Sequence, residues 1–415
     1  MNTTAERVTT ERQPQPLLSG LILLFLLAMI LANLGGNMYG PLMSLYVKDL
    51  GASVEQIGLF FTLASIIPLA LQILGGWISD SIGRLRAIAI GSVVGVLAYV
   101  PLILASQWEW LLLAEGLSAI TRALVGPSFD AFLAEQSSEA TRARMFGVSQ
   151  MLFGIVGVLG PLLGGRLAQE YGFKPMLLIA ASLYLLATLL RVQMARTVAS
   201  HSTAHSASLS WEGLKANLTA MIGLVTAGGI VTWILITDGM RDVASALSMN
   251  LLSVYMQEKI GLTLSQIGLA SSLFGLSMML AHLPGGWLAD KVGERLGIAV
   301  GFALSGLALG GLVFVPRGAF GLTCLGWGIA GIGAGIMSPA YMSLISKVVP
   351  SHLRGTAFGL FSTSLGIISL PAPWLGGLLW ERVSPRFPFL ITAVAILLSI
   401  IPVWVKFKPA GNHHE

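Results

Sequence analysis

Charge is scarce in this chain. Of its 415 residues only 10% are charged while 55% are hydrophobic, and the mean hydropathy is +0.81. A soluble protein of this length carries about a quarter of its residues charged. The scarcity therefore excludes a water-soluble globule and makes lipid the solvent. Cysteine is scarcer still. Cys324 stands alone, which excludes an intramolecular disulfide and a cysteine-built metal cluster, and its apolar setting reads as a packed, inert thiol. No nucleophile–base arrangement, metal-ligand spacing or phosphate loop occurs, so no enzyme is indicated and no cofactor or metal is expected. The net charge of +5 would suggest a nucleic-acid partner in a soluble protein. Here it reads as membrane orientation instead, and no nucleic acid is expected.

Apolar runs are abundant. Stretches long enough to cross ~30 Å of hydrocarbon fall at about 17–47, 54–79, 87–106, 109–134, 145–169 and 174–195, and again at about 227–257, 264–289, 297–316, 320–346, 355–381 and 387–406. We number them spans 1 to 12. The run from Leu17 to Val47 is too long for a signal-peptide core and is not followed by a small-residue cleavage site, so it reads as a retained span. The expected units are therefore 1–195, a linker at 196–226 with a surface helix over its second half, and 227–415. His201 and His205 lie in that linker and read as solvated side chains. With the N-terminus cytoplasmic, fifteen basic residues, Arg191 among them, fall on the inner side and seven on the outer. That asymmetry places both termini in the cytoplasm. The setting expected is the cell membrane, a bacterial inner membrane, with lipid as a partner and the protein a monomer.

The chain also repeats itself. Gln56-Ile57-Gly58-Leu59 leads into Gly75-Gly76-Trp77-Ile78-Ser79-Asp80-Ser81-Ile82-Gly83-Arg84. Gln266-Ile267-Gly268-Leu269 leads, over the same interval, into Gly285-Gly286-Trp287-Leu288-Ala289-Asp290-Lys291-Val292-Gly293-Glu294. Matched residues are offset by 210 positions, as from Asp80 to Asp290. Parallel hydrophobic halves are the architecture of secondary transporters, with the substrate site where the halves meet. The 49 glycines fit close helix packing in lipid.

On these residues the chain resembles the major facilitator superfamily over essentially its whole length. The resemblance implies an all-α membrane protein of twelve transmembrane helices in two pseudo-symmetric six-helix bundles. The first cassette is similar to that family's loop 2–3 signature at Gly76, Asp80, Gly83 and Arg84, with Ser81 departing from the usual base. The second copy, Gly286, Asp290, Lys291 and Gly293, has the base but carries Glu294 in place of Arg84. Glu135 and Arg142 resemble the element after span 4 that is implied to hold the cytoplasmic side closed, whereas the second half reads Lys347 and Arg354. These residues are expected to form a conformational latch. In span 5, Gly157, Gly160, Pro161, Gly164 and Gly165 match a glycine–proline pattern associated with antiporters, especially drug/proton exporters, and span 11 echoes it at Pro373, Gly376 and Gly377. Glycines four apart also make a groove for a neighbouring helix.

Charges inside spans are where chemistry is expected, because each is costly in hydrocarbon. Span 4 carries Glu115, Arg122 and Asp130. At 100° per residue Arg122 lies within ~20° of Glu115 and Asp130 within ~60°, so the three share a face. Asp130, nearest the cytoplasmic end, is grouped with the latch. Span 7 carries Asp238, Arg241 and Asp242 on one face. The resemblance implies that spans 1, 4, 7 and 10 line the central cavity. Arg122 to Gly126 also resembles the core of the exporters' span 4 motif, with Val125 replacing the usual glutamine. Glu115, Asp238 and Asp242 are thus the proton-coupling candidates, with Arg122 and Arg241 as charge partners. Span 1 has no acid; Asn33, Asn37 and Tyr39 can hydrogen-bond a ligand but not carry its proton. Three functions stand against these residues. The first is a proton-coupled exporter of small amphipathic or cationic molecules. The second is a transporter of an anionic metabolite held by Arg122 and Arg241. The third is a non-transporting membrane sensor.

Overall fold

The computed structural model describes residues 20–198, 219, 230–348, 366 and 368–407, the side chains of 72–82, 139, 140, 143, 198 and 230 excepted. The described regular structure is entirely helical. Lipid offers no hydrogen bonds to the backbone, so a helix, which satisfies its own amides, is the natural form of each apolar run. Among the described residues nine helices are long and apolar enough to cross a membrane. Two more, Trp110–Glu135 (span 4) and Ile230–Ser248 (span 7), carry the intramembrane charge clusters. Most of span 11 before Ala372–Arg382, and the linker helix expected near 211–226, lie outside the described residues.

Spans 2, 3, 5 and 6 are Val54–Ile82, Arg84–Leu104, Glu139–Tyr171 and Phe173–Val198. Spans 8, 9 and 10 are Leu264–Val292, Glu294–Leu312 and Phe320–Val348, and span 12 is Phe387–Leu398 continued by Ile400–Lys406. Spans 1 and 7 are not the single runs that hydropathy suggests. Span 1 is Gly20–Tyr39, a 3₁₀ turn at Gly40–Leu42 that contains Pro41, and Met43–Asp49. Span 7 breaks at the matching place, into a 3₁₀ turn at Met249–Leu251, Leu252–Tyr255 and a π turn at Met256–Ile260. Both breaks lie where the two halves meet. Gly83 (φ 89°) and Gly293 (φ 105°) supply the turns between spans 2 and 3 and between spans 8 and 9. Side chains rarely adopt that left-handed region, which explains a glycine in both copies of the cassette.

The two halves repeat in detail. The Tyr46 hydroxyl donates to the Leu102 carbonyl at 2.7 Å, and Tyr255 donates to Val313 at 3.1 Å. Among the described residues, the buried core that joins them lies at one end. There a single buried core takes Met38, Leu42, Ile57 and Phe60 from the first half and Leu251, Tyr255, Ile260 and Ile267 from the second. Toward the opposite end each half has its own core, around Phe25, Phe129 and Phe132 in the first and Phe302, Tyr341 and Phe407 in the second. A shared core that divides in two is the shape of a cleft closed at one end. We call the shared end the sealed end.

Candidate functional site

The seal is made of main chain. A Cβ placed on Gly268 of span 8 would strike the Pro161 carbonyl of span 5 and lie 2.9 Å from the Gly165 Cα. A Cβ on Gly58 of span 2 would strike the Pro373 carbonyl of span 11, and one on Gly377 would lie 2.7 Å from the Val54 carbonyl. Each half's Gln-Ile-Gly-Leu cassette thus packs against the other half's glycine–proline stretch. Gly160 and Gly164 instead meet span 1, at Asn37 and Met38, while a Cβ at Gly157 would find open space. Polar contacts reinforce the seam. Ser272 donates to the Val158 carbonyl (2.6 Å) and Ser253 to the Pro41 carbonyl (2.6 Å). The Leu264 amide is capped by Gln169 (3.0 Å) and the Glu55 amide by Glu381 (2.9 Å), each across the halves. Lys48 pairs with Glu258 at 2.7 Å.

At the opposite end each ion pair between described residues lies within a half. Arg84 meets Glu135 at 3.2 Å. In the second half Glu294 binds Lys347 and accepts from Ser343 at 2.8 Å. Glu294 matches Arg84, and Lys347 matches Glu135, so the second half keeps the pair with its charges reversed. In the sequence these two residues stand as separate departures; together they compensate. Arg142, Asp290 and Lys291 are exposed and form no ion pair among the described residues. The Asp80 side chain and Arg354 lie outside the described residues. Gly286 meets nothing within 4 Å.

Between the ends, among the described residues, lie three adjoining chambers, one lined by each half and one by both. The first, of 530 Å³, is lined by Asn33, Asn37, Tyr39, Arg122 and Asp130. Asp130, grouped with the latch in the sequence, therefore belongs to this wall. Gln150, Tyr99, Tyr184 and Arg191 complete it, none of them singled out by sequence. The second chamber, of 360 Å³, lies under the seal and shares Asn37 with the first. The third, of 180 Å³, holds Arg241, Ser245 and Met337 and shares Met249, Phe274 and Trp327 with the second. Phe274 and Trp327 stack at 4.7 Å with 24° between their planes.

The charges are arranged unevenly. Glu115 and Arg122 meet at 3.2 Å, the arginine half exposed to the cleft and the acid mostly buried. Arg241 is gripped by Asp238 and Asp242, both at 2.7 Å, and stands over the Tyr341 ring at 5.8 Å. Asn33 and Asn37 each donate back to their own helix, to Met29 (2.9 Å) and Asn33 (2.8 Å), leaving their amide oxygens for other donors. Arg191 corrects the surface count of basic residues. It is 2% exposed, donating to Ser92 Oγ (2.8 Å), the Ala28 carbonyl (3.3 Å) and Met29 Sδ (2.9 Å).

A polar, aromatic cleft between two repeated helical halves, sealed at one end, defines a multi-pass membrane transporter of small molecules. The model of the Major Facilitator Superfamily matches residues 25–240 and 234–415, and the chain belongs to that family. Among its relatives is the multi-drug resistance efflux pump PmrA homolog of Lactococcus lactis, 26% identical over 89% of this chain and 90% of that protein. The quinolone resistance protein NorA of Staphylococcus aureus is 35% identical over 38% of this chain, a match spanning 40% of NorA's length. A peptide transporter POT solved with sulfate shares the fold, with a TM-score of 0.74, 15% identity and 93% of each chain covered.

Proposed function

We propose that the protein exports small amphipathic molecules in exchange for protons, by alternating access. The observation that carries this reading is the main-chain seam. The glycine–proline stretch of the antiporter pattern closes one end of a cleft whose walls hold Arg122 and Arg241, the first paired with Glu115 and the second with Asp238 and Asp242. With that end facing outward, as the basic residues assign it, the cleft receives cargo from the cytoplasm and the bilayer's inner leaflet. Two relatives named for drug resistance support export over uptake. An anion clamp made from Arg122 and Arg241 is disfavoured because each is engaged by a carboxylate at 3.2 Å or less.

Glu115 is the coupling acid in this reading. It has a single partner two turns away on the same helix, whereas Asp238 and Asp242 share the one Arg241. A rocking movement that separates the pair loads or releases the proton. The test is reconstitution with a pH dye inside vesicles. Addition of a lipophilic aromatic cation to vesicles holding an acid interior should release lumenal protons, and an unaltered dye signal would contradict the reading.

A further inference from the structure

Arg191 has no part in the coupling just described, yet it is the most deeply buried cation among the described residues. Its acceptors are a hydroxyl, a carbonyl and a thioether, all neutral, and its Nε has no hydrogen-bond partner. No carboxylate pairs with it among the described residues. The Tyr184 ring lies 5.9 Å from its centre, and the Tyr184 hydroxyl, also neutral, accepts a hydrogen bond from it. An arginine stays ionised whatever its setting, and a buried charge without a counter-ion is costly. A clasp between spans 1, 3 and 6 needs hydrogen bonds but no net charge.

Arg191 helps to line the first chamber, together with Arg122 and the single acid Asp130. Arg122 is already paired with Glu115, whereas across the cleft two aspartates share the one Arg241. The aromatic pair Phe274–Trp327 lies between the chambers. We propose that the first chamber is a subsite for an anionic group, with Arg191 as its counter-ion, so that the preferred cargo is amphoteric. Its carboxylate or similar anion faces Arg191, its flat apolar body lies against Phe274 and Trp327, and its cationic end faces Asp238 and Asp242. The proposal rests on the transport reading and narrows its substrate class.

The experiment compares binding of naphthylalanine, a zwitterion, with its carboxamide, a cation, and its N-acetyl form, an anion, to the purified full chain without a pH gradient. The zwitterion should bind at least about tenfold more tightly than the carboxamide, the scale of one charge-assisted hydrogen bond. Arg191→Gln should remove that preference while the carboxamide's affinity stays within about twofold. Arg191→Lys should keep part of it. Equal wild-type affinities for zwitterion and carboxamide would overturn the subsite, as would an Arg191→Gln variant that weakens both alike, the behaviour of a clasp. Tighter binding of the N-acetyl form than of the zwitterion would overturn the amphoteric assignment. If Arg191→Gln does not fold, the wild-type ratio and Arg191→Lys decide the matter. Failure of proton coupling would refute the transport reading but leave these affinities unchanged.

Discussion

The seam predicts its own response to a single methyl group. Gly268→Ala places a Cβ against the Pro161 carbonyl, 2.9 Å from the Gly165 Cα and 3.3 Å from the Gly165 nitrogen. All three obstacles are backbone, so no side chain can rotate away and relief requires spans 5 and 8 to part. Overpacking of this kind costs about 1–3 kcal/mol. Only the sealed state bears it, so the ratio of sealed to open molecules should fall by about 5- to 150-fold. Paired spin labels on the sealed ends of spans 5 and 8 read the distance distribution directly. Gly58→Ala should act in the same direction at the matching seam, because it meets the Pro373 carbonyl. Gly157→Ala is the control, since its Cβ enters open space. Gly164→Ala differs again: it strikes the Met38 carbonyl within the same half and should lower thermal stability without favouring opening. An unchanged distance distribution in Gly268→Ala, with a folded protein, would refute the seam as the element that holds this end shut.

Further outcomes are expected elsewhere. Glu294→Lys should weaken the latch-end pair and Lys347→Glu made with it should restore transport; the coupling should be at most about 1 kcal/mol because Lys347 is 63% exposed, and a double variant no better than the single would contradict the reversed-pair reading. Lys48→Glu faces Glu258 across the halves with like charge and should raise the open population in the same spin-label experiment, with Glu258→Lys restoring it; a distribution insensitive to both would remove this pair from the seal. Asp80→Asn and Asp290→Asn should leave expression and thermal stability near wild type while slowing flux, and unchanged flux in both would dismiss the duplicated acids as conformational elements. Arg122→Lys should retain part of the activity, since it keeps the charge beside Glu115; complete loss would assign the guanidinium a role beyond pairing.

Much of the fold was legible because membrane spans announce themselves by length, and the duplication by its constant offset. The helical turn likewise predicted that Glu115 and Arg122 would meet, for both lie on one helix and need no tertiary information. What sequence could not supply was register between helices. Gly268 and Pro161 each belong to a recognisable motif, yet their contact depends on how two distant spans cross. Arg191 was misread for a similar reason. Near the end of span 6 it resembles an ordinary interfacial base, and only the approach of Ser92 and Ala28 buries it. The breaks in spans 1 and 7 were also hidden, because a 3₁₀ or π turn leaves hydropathy unchanged. The reversed pair Glu294–Lys347 was within reach, had both substitutions been weighed together.

Proton-coupled export stands or falls on gradient-driven flux in proteoliposomes. In the wild type, a lipophilic aromatic cation should be moved against its concentration gradient toward the acidic compartment, and collapsing the pH gradient should abolish the movement. Glu115→Gln should still bind the cation, with a pH-independent affinity, but should no longer drive it uphill. Uphill transport that survives in Glu115→Gln and disappears in Asp238→Asn or Asp242→Asn would move the proton site to span 7. Wild-type transport indifferent to the pH gradient would contradict proton coupling altogether.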